Sequence, residues 1–588
     1  MNTLYIFADY LFTKNHIQKA YSLFTIITQC CDTSPPVNTL SLLKRAEILS
    51  FLGRHEQAIS ITEHVIPVIM GKIQGVEHAP VSLTRDEIIN SYFVICFNIY
   101  SRLRLAHYRN RLEYFADICL KRAYTFTRHY KTSFLTTYAL YCFENKYFMV
   151  ASNLAKMALG EAILLNDDHS IRIASNNVSF VSSYNNSQYL KENYENYLSE
   201  LKQSKDNLGC QSRFYGPMLN YERYLVQNRS YKEAFIVKMS MTRFNCTDLD
   251  SVKGFFNTQS KLDPDLCIIA YSFFNDDLYI YTIKGSIVKV KRLDFEVNKL
   301  FSDPSNYTQK HLQLLYSKLI EPIEEELKHE IIILPSDGAE AFFPFFALRD
   351  KDGNFLIEKY KISFSTFPPT KKVGKDNIKT ACILDSEDLK HSIHESNSIK
   401  ETLMGRGVQC YSKAENLEEC NVVHLAMHSN ATSELMEGEN FQDTILSWLK
   451  GNEFMATGQL FRNGKQFLHA TSFGEKCLSK IKLVVFSSCN SGKGKYVPGE
   501  GLLGFVYNAL ISGVDCVIST GSEVNDAYMR ILMSDFYKCL TTTNMDVGSS
   551  IRSAILQNKK KKQVWGSVNT WGSIQVWGYL NPSFENNH

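Results

Sequence analysis

"LVVFSSCNSG", residues 483–492, gathers four apolar residues into one run and then stops at two serines, a cysteine and a glycine-bearing loop. A short apolar run without polar alternation suits a strand covered on both faces. Cys489 therefore falls where such a strand gives way to a loop. In open α/β sheets, chemistry gathers in loops just beyond the carboxyl ends of the strands. A buried cysteine closing a core strand and a nucleophile displayed at a strand end are the two readings to separate.

Runs of the same kind surround it: "EIIILP" (330–335), "ACILD" (381–385), "VVHLA" (422–426) and "DCVIST" (515–520). Helix-length stretches separate them, so the spacing predicts a mainly parallel sheet with crossover helices. Upstream, residues 266–294 alternate or run apolar and are broken at Asn275-Asp276-Asp277 and Lys284-Gly285, the pattern of a strand meander. Asn463-Gly464 within "QLFRNGKQFLH" (459–469) predicts a projecting hairpin.

A second strand end answers the first. "VVHLA" runs into Met427-His428-Ser429-Asn430, 61 positions before Cys489. If the two strands are neighbours, His428 and Cys489 share one edge of the sheet. A free thiol is mostly protonated near neutral pH, so a nucleophilic cysteine profits from an adjacent imidazole. The backbone N–H groups of Ser429 and Cys489 would then face a developing oxyanion. His424, inside the run, reads as a packed core histidine. Either residue alone is a weak signal; the pair at equivalent strand ends is specific.

The bulk numbers bound the alternatives. A chain of 588 residues implies two or more domains. Its net charge of +3 is too small to argue for nucleic acid or a membrane surface. Asp9 interrupts the apolar start and no cleavage site frames it, so no secretory signal is expected. No run approaches the ~20 apolar residues of a membrane span. Fifteen cysteines without regular spacing suit reduced thiols in a cytoplasm, and the lack of any C-x-x-C gives a structural metal site no support. "GEGLLG" (499–504) matches a dinucleotide fingerprint, but Cys489–Pro498 separates it from the strand it would have to follow. No cofactor is implied.

Residues 1–250 have a different period. In "AEILSFLGRHEQAISITEHVIP" (46–67) apolar residues recur at helical spacing, Gly53 breaks the run, and Pro67 ends it. This resembles a tetratricopeptide (TPR) unit, with small residues at Ala46 and Ala58 for close helix approach. Weaker echoes at 8–24, 138–159 and 221–235 place Ala20, Ala151 and Ala234 after a polar turn. Four echoes favour a degenerate TPR-like solenoid over a non-repetitive helical domain. Such arrays bind proteins or peptides on a concave face.

The second half resembles the CHAT domain, a caspase-like cysteine peptidase domain commonly fused to TPR repeats and related in fold to caspases and separase. The resemblance covers roughly residues 262–582. It rests on the block 331–367 with its Pro-Phe-Phe-Ala-Leu segment, on "VVHLAMHS", on "LVVFSSCNSG", on 499–520, and on the closing aromatic strand in "WGSIQVWGYLNP" (571–582). It implies His428 as the imidazole and Cys489 as the nucleophile, with residues 262–588 as the peptidase domain. It also places Ser487 and Asp526 at the substrate pocket. Ser429 stands where the family usually has glycine, and "STGSEVNDA" (519–527) lacks the family's usual tryptophan. The expectation is a regulated endopeptidase cleaving a protein substrate, with the helical half binding a regulator or the substrate. A non-catalytic adaptor on the same fold is the alternative. Neither the cleaved protein nor the oligomeric state is written in these residues.

Overall fold

A computed structural model describes most of residues 2–241 and 265–584; the longer stretches outside it are 66–88, 98–105, 182–190, 201–211, 242–264, 295–307, 336–342, 367–374, 431–458, 471–477 and 561–567. The chain divides into two compact units whose boundary falls between Asn228 and Arg229. No described helix is long and apolar enough to cross a membrane.

The described part of the first unit is helical. Its longer helices are Asn2–Thr13, Ile17–Gln29, Pro35–Phe51, Ala106–Arg122, Arg128–Glu144, Phe148–Leu165 and Ser212–Gln227. Thr127 starts one of them, its hydroxyl accepting from the Tyr130 N–H at 3.5 Å. Asn166, at φ 57°, ends the next in the left-handed conformation. Between these caps, Ala151, Ala155, Ala158 and Ala162 are fully buried on one face of Phe148–Leu165, which packs on Arg128–Glu144. Ala20, Ala46 and Ala58 are equally buried. Small side chains at helical spacing let two helix backbones approach closely. The turn at Gly53 and the stop at Pro67 lie outside the described residues. The last echo straddles the boundary: Ser212–Gln227 belongs to the first unit and Tyr231–Ser240 to the second. In the second unit the Phe235 ring packs on Tyr281, 6.0 Å between centroids.

The second unit is built on a sheet whose strands are β1 (Leu266–Phe274), β2 (Asp277–Lys284), β3 (Ile287–Asp294), β4 (Glu330–Leu334), β5 (Lys361–Phe364), β6 (Thr380–Asp385), β7 (Gln409–Tyr411) and β8 (Val422–Ala426). After a side sheet of β9 (His428–Asn430), β10 (Gln459–Arg462) and β11 (Lys465–His469), it is completed by β12 (Leu483–Phe486), β13 (Cys516–Thr520) and β14 (Ile574–Gly578). The order across the main sheet is β3-β2-β1-β4-β5-β14-β13-β12-β8-β6-β7. Three neighbouring pairs, β1/β2, β2/β3 and β13/β14, are antiparallel, and the remaining seven are parallel.

The apolar runs become these strands because every side chain in β8, β12 and β13 is buried. Burying each large apolar side chain contributes about 1.5–3 kcal/mol, so such runs leave water on both faces. Helices Ser392–Met404, Asp526–Thr542 and Val547–Lys560 supply Ile399, Leu403, Leu532, Phe536 and Ile551 to the same continuous core. Trp577 of β14 stacks on Phe364 of β5 at 5.0 Å, closing the seam between the two halves of the sheet. The Asn463-Gly464 hairpin forms as its residues require, with φ 52° and 71° at the two turn positions. Within the glycine block, Gly501–Leu503 form a short strand, and the next helix begins at Phe505, one residue beyond Gly504.

Candidate active site

β8 and β12 are parallel neighbours in register Val422↔Leu483 through Leu425↔Phe486. The Ser487 N–H extends the ladder by donating to the Leu425 carbonyl at 3.0 Å. His428 and Cys489 each lie three residues beyond the Leu425↔Phe486 pair, so the sheet delivers both to one edge. The hydroxyl of Ser429 donates to the carbonyl oxygen of Cys489, a direct tie between the two strand ends.

The cysteine loop is fixed from the side of β13. Asn490 takes the left-handed conformation, φ 56°, and its N–H donates to Ser522 O at 2.9 Å. The Gly492 N–H donates to Thr520 O at 2.7 Å, and the Thr520 hydroxyl donates to Ser488 O at 2.6 Å. A Cβ at Gly492 would sit 2.7 Å from both Ser519 Oγ and Gln575 Oε1, so only glycine passes here without displacement. The Cys489 thiol meets the Val524 backbone, donating to its carbonyl at 3.6 Å and accepting from its N–H at 3.4 Å.

Exposure sets this cysteine and Cys410 apart from the other described cysteines. Of the described cysteines, Cys410 and Cys489 are half-buried and the others are buried. Burial pushes the thiols of Cys267 and Cys410 up to about 11 and that of Cys96 up to about 12, which keeps them protonated and inert.

His428 opens β9, where it pairs with Phe461 of β10. Its side chain is half-exposed, and its Nε2 lies 4.0 Å from Asp388 Oδ2. Asp388 belongs to the loop after β6, the strand on the other side of β8. The hydroxyl of Ser386 donates to its Oδ1, and the Gly464 N–H donates to its Oδ2 at 3.1 Å. With His428 nearby, these donors hold the Asp388 carboxyl below the usual carboxylate range, Ser386 contributing most. The reading of strand ends at β8 and β12 passes over this residue. The same rule applied to "ACILD", which runs into Ser386-Glu387-Asp388, points to it.

The remaining candidates fall as follows. Ser487 is buried at the end of β12, its hydroxyl without a hydrogen-bond partner among the described residues. Asp526 opens the helix Asp526–Thr542 and accepts from the His391 N–H at 2.8 Å. His424 lies inside the core between Glu395 Oε1, 2.8 Å from its Nε2, and the Tyr537 hydroxyl, 3.4 Å from its Nδ1.

Residues 309–579 match the CHAT domain family model. No curated protein matches the chain. Among solved structures, it is similar to a Saccharomyces cerevisiae separase–securin complex at 10% identity and a TM-score of 0.48, covering 99% of this chain and 53% of that one. A second structure of that complex gives 10% identity and a TM-score of 0.37, covering 93% and 54%. The chain thus spans about half the length of the chains it matches.

Proposed function

We propose that this chain is a cysteine endopeptidase acting on a protein substrate in the cytoplasm, with its helical half a TPR-like array that binds a regulator or the substrate. The observation that carries the reading is the register of β8 and β12, which sets an imidazole and a half-buried thiol at equal distance beyond one strand pair. The CHAT match over the same residues supports it.

In this reading His428 takes the proton of the Cys489 thiol, and the thiolate attacks the scissile carbonyl carbon. The backbone N–H groups of Cys489 and Ser429 stabilise the tetrahedral oxyanion. As the C–N bond breaks, the amine leaves with the proton held on His428, and a thioester remains on Cys489. Water, deprotonated by His428, then releases the acid and restores the thiol. Ser487 and Asp526 are the residues proposed to face the side chain before the scissile bond.

The adaptor reading has its own support in Ser429, whose hydroxyl bonds the Cys489 carbonyl where the family usually has glycine. Both are tested together. New N-termini are mapped by mass spectrometry in cells carrying the wild type, Cys489→Ala or His428→Ala, alongside labelling with peptidyl acyloxymethyl ketones. A peptidase loses at least about a thousandfold in either variant and labels selectively at Cys489. Undiminished cleavage in a variant removes the mechanism, and no selective labelling leaves the adaptor.

A further inference from the structure

Among the described residues, Asp388 is the charged group paired with His428. Their 4.0 Å separation exceeds a hydrogen bond, but catalytic contacts are often long in the resting protein and tighten around substrate. How the carboxylate is held is more telling than the distance. Its own oxygens accept from Ser386 and Gly464. Its loop is fastened on either side of it. The Glu387 N–H donates to Asn463 Oδ1 at 2.7 Å, and the Asn463 N–H donates to Ser386 Oγ at 2.8 Å. Arg462 Nε donates to Asp385 O at 2.8 Å, and Asp526 receives the His391 N–H beyond.

The hairpin that makes these ties is also the one that pairs with the histidine's own strand, through His428↔Phe461. Carboxylate and imidazole are therefore located by one piece of structure, the β10–β11 hairpin, the turn holding the first and strand β10 the second. A bracket for the loop would need only the acceptors that meet Ser386 and Gly464. Of these acceptors, the Oδ2 that meets Gly464 is also the oxygen nearest His428, so the hairpin that holds the carboxylate also sets the oxygen beside the ring.

We propose that Asp388 is a positioning residue that orients the His428 ring and steadies the imidazolium formed when Cys489 gives up its proton, a role in the reaction that rests on the peptidase reading. The pairing itself does not rest on it, and the test keeps the two apart. Diethyl pyrocarbonate acylates the neutral ring, and mass spectrometry of the full-length chain follows His428 at pH 6, with His391 and His394 as internal references. Asp388→Asn is expected to raise the His428 rate at least twofold, while Asp388→Glu stays near the wild type. Equal rates in wild type and Asp388→Asn overturn the proposal.

The second readout is labelling of Cys489 by the peptidyl acyloxymethyl ketones. Asp388→Asn is expected to slow it at least tenfold, yet to change it less than twofold in a His428→Ala background, since the carboxylate acts through the ring. An equal loss in both backgrounds would assign Asp388 to the fold and overturn the proposal. If the wild-type Cys489 does not label while His428 still responds to Asp388→Asn, the pairing is upheld and the peptidase reading has failed.

Discussion

The described residues of the second unit include two carboxylate–histidine pairs whose histidines stand four residues apart, and they are opposites. Glu395 and His424 meet at 2.8 Å with side chains 1% and 0% exposed. Asp388 and His428 stand 4.0 Å apart with side chains 34% and 51% exposed. The first pair has a third member in Tyr537, whose ring packs edge-on against His424. It pins β8 between the helices Ser392–Met404 and Asp526–Thr542, where nothing can reach it. The second pair looks outward from the end of the same strand run. One residue type is locked into the fold where it is dry and stands open to water at the sheet edge.

The sharpest way to break this contrast is to truncate one partner of each pair. Glu395→Ala leaves a ring nitrogen of His424 unpartnered in a closed core, and is expected to destabilise the unit by about 3 kcal/mol. His428→Ala should change stability by less than about 1 kcal/mol, as exposed pairs do. Urea unfolding of the three proteins measures both, and comparable losses would erase the distinction.

A second buried carboxylate, paired with a lysine, sharpens it. Asp350, its side chain 5% exposed, faces Lys359 at 2.8 Å and accepts from the Asn354 N–H at 2.8 Å. Burial pushes its carboxyl up, but Lys359 and Asn354 outweigh that and hold it at about 2. Because the folded value lies below the unfolded ~3.9, the pairing stabilises the fold by on the order of 2 kcal/mol above about pH 4. That contribution is lost as the pH falls toward 2. Asp350→Asn should therefore be clearly less stable than the wild type at pH 7, with the gap narrowing at pH 3. A gap that does not change with pH would mean the carboxylate's charge is irrelevant.

Much of this arrangement is written in the sequence, and the gaps have physical causes. "VVHLA" becomes β8 over the same five residues, because all five are buried on the two faces of the sheet, His424 among them with Glu395 as its partner. Asn463-Gly464 reveals its hairpin through the backbone conformation those two residues tolerate. "KISF" is too short and mixed to announce β5, and β14 emerges only through family resemblance, since Gln575 breaks its apolar run. His428 and Cys489 are legible as strand ends. The tie from Ser429 to the Cys489 carbonyl and the approach of Asp388 to His428 are not, because each depends on which strands lie side by side. Asp526 shows the same limit: its partner, the His391 N–H, lies 135 positions away.

One feature of the sheet bears on the order of events in the cell. β14 lies between β5 and β13, joining the five strands β3-β2-β1-β4-β5 to the five strands β13-β12-β8-β6-β7. It is also the last of these strands to leave the ribosome. Until then the cysteine loop lacks Gln575, which flanks Gly492, and the Ser573 carbonyl, which receives the Gly521 N–H. Residues 1–228 and both halves of the sheet are synthesised before the strand that unites them. The surroundings of the cysteine loop are therefore completed only by the last strand of the sheet to be made.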